Sequence, residues 1–218
     1  MRGFSRKAFR LLPATTEMDC SRIYVYKLVA DNGGAPCVHR GVLSLAICKP
    51  KIRKAAEKDD FVVGFGGQRL GHRLIYAAKI TVKPPLGEYY VADQYAGRPD
   101  CIYRHADGAA VLKDNAKYHS TGAQLPKDVG SRFEHASVLL SDDFIYFGSK
   151  GRRDYEARCP ALNAMLSRLR QGHRVNHNAA VQSELEALIS ELWSLPKRGA
   201  VGRPSDQDCT LRCNQDRE

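Results

Sequence analysis

Two residues that lie far apart in the chain have the chemistry of a nucleophile and its base. Cys48 can supply a thiolate, and His119 can accept the thiol proton, if the fold brings the two side chains together. The alternative is that Cys48 is a small buried hydrophobic residue, as cysteine commonly is. Both interpretations stay open at this stage.

The densest basic cluster of the chain follows Cys48 directly. Lys49, Lys51 and Arg53 lie near the start of a predicted helix, where they could position a phosphate group. Lys54 and Lys58 follow on the same helix, and we expect them to be solvated. The alternative is that the whole cluster is an exposed helix face.

Aromatic residues that could stack on a base lie on the neighbouring predicted strands. Phe65 and Tyr76 follow the basic helix, Tyr103 lies in a less regular stretch, and Gly66 would let a ligand approach the backbone closely. The alternative is that these aromatic residues belong to the core, because stacking platforms and core aromatics look alike in sequence.

Two adjacent carboxylates, Asp142 and Asp143, separate two predicted strands. Together with His119 they could read the edge of a base, since a flipped base needs fixed donors and acceptors. They could also act as acid and base groups in catalysis. The alternative is that Asp142 caps a turn and Asp143 is solvated.

Other sites with a known sequence signature are excluded. The glycines of Gly64-x-Gly66-Gly67 lie between predicted strands and do not open a helix, so they match neither a dinucleotide fingerprint nor a Walker loop. His173 and His177 have the spacing of one helix face, but no further ligand accompanies them. We therefore expect no cofactor and no metal.

The composition indicates one folded domain with a polyanionic partner. A chain of 218 residues with 43% hydrophobic residues can bury one core. The formal net charge of +10 favours a nucleic acid or nucleotide partner, with a solvated basic face as the alternative. The seven cysteines are scattered without a C-x-x-C pair, which favours free thiols in the cytoplasm. No apolar run approaches the roughly 20 residues that span a bilayer, so we expect no membrane contact.

The predicted elements form a single α+β domain over residues 21–195. A basic leader over residues 1–20 is expected to be flexible, and residues 196–218 have too little apolar content to order. Within the domain, alternating or β-branched runs predict strands, and apolar residues at helical spacing predict two C-terminal helices. The strands are predicted at 23–29, 42–47, 61–67, 74–81, 135–141 and 144–148, and the helices at 50–58, 160–170 and 181–193.

The chain resembles the nucleotide-modification-associated domain family of the second type, which occurs in bacteria and phages. The resemblance runs from about Tyr24 to Gly151. It rests on four blocks in the same order: C-K-P-K-I-R from Cys48, D-F-V-V-G-x-G from Asp60, R-L-I-Y-A from Arg73 and L-S-D-D-F-I-Y-F-G from Leu140. The resemblance implies an association with modified bases but no settled activity.

The strand pair around the glycines is also similar to the small base-reading barrels of the PUA, EVE and ASCH type. This second resemblance implies a compact, strongly bent β-barrel flanked by helices. The leading hypothesis is therefore a domain that recognises a nucleotide or modified base. The alternatives are an enzyme acting on a nucleotide or modified base, and a module that recruits a modifying enzyme through the C-terminal helices.

Overall fold

The computed structural model of the protein describes residues 21–206, and they form eleven strands and six helices. The strands are β1 (Ile23–Leu28), β2 (Cys37–His39), β3 (Val42–Leu45), β4 (Phe61–Gly66), β5 (Leu74–Lys79), β6 (Tyr103–Ala106), β7 (Ala109–Leu112), β8 (Leu139–Ser141), β9 (Asp143–Tyr146), β10 (His173–Arg174) and β11 (Gly199–Ala200). The helices are α1 (Pro50–Ala55), α2 (Asp93–Ala96), α3 (Leu125–Asp128), α4 (Tyr155–Arg158), α5 (Pro160–Arg168) and α6 (Ala179–Trp193).

A mixed sheet of six strands forms the centre of the protein, in the order β10-β1-β4-β5-β9-β11. β1 pairs in parallel with β4, whereas β4 and β5 form an antiparallel pair. A parallel pair needs a crossover connection. Here β2, β3 and α1 lie in that connection, and this is the segment that carries Cys48.

Alternation along β1 buries both faces of this sheet. Ile23 and Val25 contribute to a core that includes α5 and α6, whereas Tyr24, Tyr26 and Leu28 contribute to a second core with β3 and α1. Successive side chains of a strand point to opposite faces, so one short run serves two layers. The apolar residues of the C-terminal helices are thus part of the domain core, as their periodicity predicts. They are Leu162, Leu166, Val181, Leu185, Leu188 and Leu192.

The remaining strands form two small sheets, of which the one containing β3 and β8 contributes to the second core. One has the order β2-β3-β8 and the other is the β6–β7 hairpin. A third buried cluster includes Tyr89, Tyr90 and Tyr103, together with Ala46 and Ile47 from the segment after β3. The chain therefore reaches Cys48 between two hydrophobic cores.

The expected PUA-like barrel is not confirmed. Strands β10 and β11 are the two open edges of the central sheet, so the described residues are mixed α and β without a closed barrel. The alternating patterns predict where strands occur, but the order in which they pair depends on long-range contacts. Between residues 21 and 206, no helix has the length and hydrophobicity to cross a membrane.

The first part of the tail is ordered, contrary to the prediction from its composition. β11 pairs in parallel with β9, and Asp206 accepts hydrogen bonds from the Arg69 guanidinium and the Asp31 main-chain N–H. Sheet pairing and an ion pair offset the ordering cost that a polar segment cannot offset by burial. The leader over residues 1–20 and the tail after residue 206 lie outside the described residues.

Candidate active site

The structure brings Cys48 and His119 together. Cys48 Sγ lies 3.4 Å from His119 Nε2, although 71 positions separate the two residues in the chain. Cys48 is 8% exposed and the His119 side chain 4%. A thiol and an imidazole at this distance can exchange a proton, which is the requirement for a cysteine nucleophile.

A carboxylate holds the other nitrogen of the imidazole. His119 Nδ1 lies 2.5 Å from Asp128 Oδ2. Since a carboxylate only accepts hydrogen bonds, this contact places the ring proton on Nδ1 and leaves the Nε2 lone pair facing the sulfur. Cys48, His119 and Asp128 are therefore arranged as a nucleophile, a base and a residue that orients the base. We call these three residues the thiol cluster.

Two further donors fix the Asp128 carboxylate. The Tyr103 hydroxyl donates to Oδ2 at 2.8 Å, and the Cys48 main-chain N–H donates to Oδ1 at 2.8 Å. Burial and the nearby Asp128 charge raise the pKa of Tyr103, so the hydroxyl stays a donor at neutral pH. The carboxylate that orients His119 is thereby also attached to the backbone of the nucleophile.

The Arg53 side chain links the two chain segments that carry Cys48 and Asp128. Its guanidinium donates to the carbonyl oxygens of Cys48 at 2.6 Å, Asp128 at 2.7 Å and Ser137 at 2.5 Å. The side chain is completely buried. Arg53 therefore does not fit its predicted role as a phosphate ligand, because its donors are directed at main-chain carbonyls inside the protein.

Local backbone geometry places the thiol at the junction of β3 and α1. Cys48 and Lys49 have φ angles of 58° and 46°, and His119 has a φ angle of 49°. Non-glycine residues rarely adopt this left-handed conformation, and they concentrate at functional sites where the surrounding structure enforces it. Pro50 then begins α1, since the first helical turn needs no N–H from it.

The remaining basic candidates lie beside the thiol cluster. Lys49 Nζ lies 4.9 Å from the ring centroid of Tyr26, and Lys51 is exposed on α1. Burial, Lys51 and Lys49 lower the pKa of His173, so that imidazole shares a positively charged environment with both lysines. Phosphate binding by Lys49 and Lys51 stays a prediction.

The three aromatic candidates are core residues. Phe65 packs edge-on against Tyr155 with ring centroids 4.8 Å apart, and the Tyr76 hydroxyl donates to Tyr26 at 3.0 Å. Tyr76 and Tyr103 are completely buried, and Gly66 packs against Leu70. Phe65 and Gly66 line a cavity of about 230 Å³ whose lining includes no residue of the thiol cluster. Tyr76 and Tyr103 present no open ring face for a base, and of the three aromatic candidates only Tyr103 reaches the thiol cluster.

The two adjacent carboxylates point to different surroundings. Asp143 accepts hydrogen bonds from Trp193 Nε1 at 3.0 Å and from the Arg198 guanidinium at 2.7 Å, so it is not simply solvated. Asp142 is exposed and lines a cleft on another part of the surface. Within residues 21–206, no hydrogen bond or ion pair links either carboxylate to the thiol cluster.

The two histidines with helical spacing are not on a helix. His173 lies in β10, and His177 lies in the following loop with Nε2 2.8 Å from the Ile23 carbonyl oxygen. The prediction that they share a helix face is wrong, because the short strand β10 pairs with β1 instead. No group of three His, Cys, Asp or Glu side chains in the described part of the chain is placed to hold a metal ion.

Asp128 is the site residue that the sequence did not reveal. It ends the four-residue helix α3, which Pro126 helps to start, in a stretch without clear periodicity. A single aspartate in a loop-rich segment has no distinguishing pattern. Only the fold shows that it orients His119.

A second buried polar cluster contacts the same strand-to-helix segment through Ser44, in β3. Ser44 Oγ donates to Asp100 Oδ2 at 2.5 Å, the Tyr89 hydroxyl donates to Asp100 Oδ1 at 2.7 Å, and Arg98 Nε donates to the Tyr89 hydroxyl at 2.8 Å. Burial raises the pKa of Asp100, opposed by Arg98. We call Ser44, Tyr89, Arg98 and Asp100 the arginine cluster.

Comparison with known proteins places the thiol cluster inside a recognised domain. A family model described as nucleotide modification associated domain 2 matches residues 20–210. The matched segment contains every described residue, including Cys48, His119 and Asp128. No curated protein and no solved structure matches the chain.

Proposed function

Because this chain belongs to the nucleotide modification associated domain 2 family, we propose that it is a thiol-dependent enzyme acting on a nucleotide or a modified base. The observation that carries the proposal is the contact chain from Cys48 Sγ through the His119 ring to Asp128, with distances of 3.4 and 2.5 Å. This arrangement recurs on unrelated folds that catalyse acyl transfer. The proposed reaction is the transfer or removal of an acyl group on a nucleotide amine.

Proton transfer from the thiol is the first proposed step. His119 Nε2 accepts the proton of Cys48, and Asp128 stabilises the imidazolium that forms. The Cys48 main-chain N–H holds the other oxygen of the same carboxylate, so the base and the nucleophile keep a fixed orientation. Catalysis depends on such preorganisation, since small displacements of reacting groups are costly.

The thiolate then attacks the carbonyl carbon of the acyl donor. A carbon–sulfur bond forms, the bond to the leaving amine or alcohol breaks, and the imidazolium protonates the leaving group. In the second half-reaction, water or another amine attacks the thioester. His119 takes the proton of this nucleophile and returns it to the Cys48 sulfur as the carbon–sulfur bond breaks. No oxidant or reductant is consumed.

A covalent adduct on Cys48 tests this proposal. The protein is mixed with p-nitrophenyl acetate and then with N-acylated deoxynucleosides, and the acylated residue is mapped by peptide mass spectrometry. We expect acetylation at Cys48 in the wild type, none in Cys48→Ala, and a strongly reduced amount in His119→Ala. Acylation spread over surface lysines, with Cys48 unmodified, would contradict a thiol enzyme.

Recognition of a nucleotide without chemistry is the second candidate function. The formal net charge of +10 and the exposed Lys51 on α1 support it. The two functions differ in what happens to the bound nucleotide. Tight binding by the wild type, with every N-acylated nucleoside recovered unchanged and no adduct on Cys48, would favour recognition alone.

A further inference from the structure

A cleft of about 400 Å³ lies between the β2-β3-β8 sheet and α2, apart from the thiol cluster. Its volume is within the range of small-molecule sites, whereas two other cavities of about 230 and 240 Å³ fall below it. Apolar side chains from three segments, Val42, Val82 and Leu140, line the cleft. Val82 is 47% exposed although it is a large hydrophobic residue, so part of this apolar surface is open to a ligand.

An exposed arginine, Arg40, stands at the rim of the cleft. Arg40 is exposed at the tip of the β2–β3 hairpin, where it has a φ angle of 48° and is followed by Gly41 at 77°. This two-residue turn matches the twist of the flanking strands and fixes the position of Arg40. No carboxylate within residues 21–206 forms an ion pair with Arg40. Its guanidinium can therefore form paired hydrogen bonds to a phosphate.

Polar groups with the chemistry of a base edge line the same cleft. Asp142 is exposed, and its main-chain N–H donates to Thr81 Oγ1 at 3.2 Å, which fixes the residue beside the apolar surface. Gln94, on α2, is exposed and also lines the cleft. Carboxylates accept hydrogen bonds from exocyclic amines of bases, and amides can both donate and accept.

We propose that this cleft is a nucleotide-binding subsite, with the phosphate on Arg40, the base against Val42 and Val82, and the base edge on Asp142. The inference rests on the proposed nucleotide substrate and gives Asp142 a place that is separate from the thiol. Val42 lines the cleft and Cys48 follows six residues later, so the Cα atoms of these two residues are at most about 22 Å apart. An oligonucleotide of several nucleotides is long enough to span this separation.

Binding measurements on variants of the full chain test the subsite. Binding of the four deoxynucleoside 5′-monophosphates is measured by calorimetry at low salt. Binding of a fluorescein-labelled oligothymidylate is measured by fluorescence anisotropy. The Cys48→Ser background prevents turnover. We expect Arg40→Ala to weaken binding of all four monophosphates about tenfold, the loss of one charge-assisted contact. Asp142→Asn should change the order of preference among the bases.

Arg168→Ala is the matched control, because Arg168 is an exposed arginine at the end of α5, which packs on the opposite face of the central sheet. It should leave binding within about twofold, since only non-specific charge is lost. Equal losses in Arg40→Ala and Arg168→Ala, or no binding of any probe, would overturn the subsite. Binding of the oligonucleotide but not of the monophosphates, with the same Arg40 dependence, would support a subsite for a polynucleotide.

Iodoacetamide labelling of Cys48, in the wild type and in His119→Ala without the Cys48→Ser change, separates this inference from the proposed function. If nucleotides do not bind but iodoacetamide labels Cys48 in a His119-dependent manner, the subsite is wrong and the thiol enzyme stands. If Arg40-dependent binding is found but labelling of Cys48 does not depend on His119, the thiol enzyme is wrong and the subsite stands.

Discussion

The segment from β3 to α1 passes two buried carboxylates, Asp100 beside Ser44 and Asp128 beside Cys48. Each carboxylate accepts a hydrogen bond from a tyrosine hydroxyl, Tyr89 in one case and Tyr103 in the other. An arginine is close to each as well, since Arg98 Nε is 3.6 Å from Asp100 Oδ1 and Arg53 Nη2 is 3.9 Å from Asp128 Oδ1. Each cluster thus contains a buried carboxylate, a tyrosine hydroxyl that donates to it and a nearby arginine.

They differ in what lies between the carboxylate and the potential nucleophile. Ser44 donates directly to Asp100 and accepts from Arg98, so its hydroxyl is fully engaged in structure. Cys48 faces Asp128 through the His119 imidazole. A buried charged cluster alone therefore does not indicate catalysis. The interposed imidazole distinguishes the thiol cluster, because it lies where it can move a proton between defined atoms.

The largest expected effect is on stability, in the arginine cluster. Asp100→Ala should lower the free energy of unfolding by about 3–5 kcal/mol, because it leaves the Arg98 charge buried without its partner. Urea denaturation followed by circular dichroism measures this loss. Acyl transfer by the remaining folded protein should stay within about twofold of the wild type. A loss below about 1 kcal/mol would show that the two clusters do not differ as proposed.

His119→Ala should have the largest effect on chemistry. Removal of the base should lower the rate of acyl transfer to Cys48 about 100-fold, the lower range of general base catalysis. The rate is measured as p-nitrophenol release at neutral pH. Ser44→Ala, in the arginine cluster, is the control and should not change this rate. Equal rates in wild type and His119→Ala would remove the functional distinction between the clusters.

One tyrosine variant in each cluster separates an effect on the rate of acyl transfer from an effect on stability. Tyr103→Phe and Tyr89→Phe each delete one hydroxyl that donates to a buried carboxylate, and each should cost about 1 kcal/mol of stability. Only Tyr103→Phe should also slow acyl transfer, by about fivefold, since a less firmly held Asp128 orients His119 less well. Both variants are compared by denaturation and by rate. A matching slowdown in Tyr89→Phe would argue that the rate merely follows stability.

The smallest effect concerns the loop that follows α3, where Ser131 lies three residues after Asp128. Main-chain N–H groups of Arg132 and Ser131 donate to the Glu134 carboxylate and lower its pKa to about 2 from the ordinary 4.5. The folded-state pKa lies below the unfolded one, so this contribution to stability is present above pH 4.5 and is lost as the pH falls towards 2. Glu134→Gln should flatten that part of the stability profile. An unchanged profile would show that the loop does not hold the carboxylate.

The sequence predicts the strands and the long helices better than their arrangement. β1 and α6 have strong alternation or helical periodicity, and both occur as expected. The PUA-like barrel is not confirmed, because the central sheet ends in two open edges at β10 and β11, and no local pattern encodes which strand pairs with which. The prediction that the tail is disordered is wrong up to residue 206, because pairing with β9 and the Asp206–Arg69 ion pair order this polar segment.

Residue types alone predict part of the candidate site. Cys48 and His119 stand out by their chemistry, but their contact depends on the fold. Arg53 follows Ile52 on α1, and the short helix buries both residues, which residue type alone does not indicate. Asp128 carries no signal beyond its own side chain. Phe65 and Tyr76 are buried in the core, although their sequence pattern is also that of a surface on which a base could stack.

Peptide-resolved labelling with iodoacetamide measures whether His119 activates the Cys48 thiol. The described chain contains three other free thiols, Cys37, Cys101 and Cys159, and burial raises the pKa of each. At neutral pH we expect Cys48 to be labelled faster than these three thiols in the folded wild type, and we expect His119→Ala to remove this difference while the protein stays folded. If Cys48 is labelled no faster than the other three thiols, or if His119→Ala leaves its labelling rate unchanged, His119 does not activate Cys48.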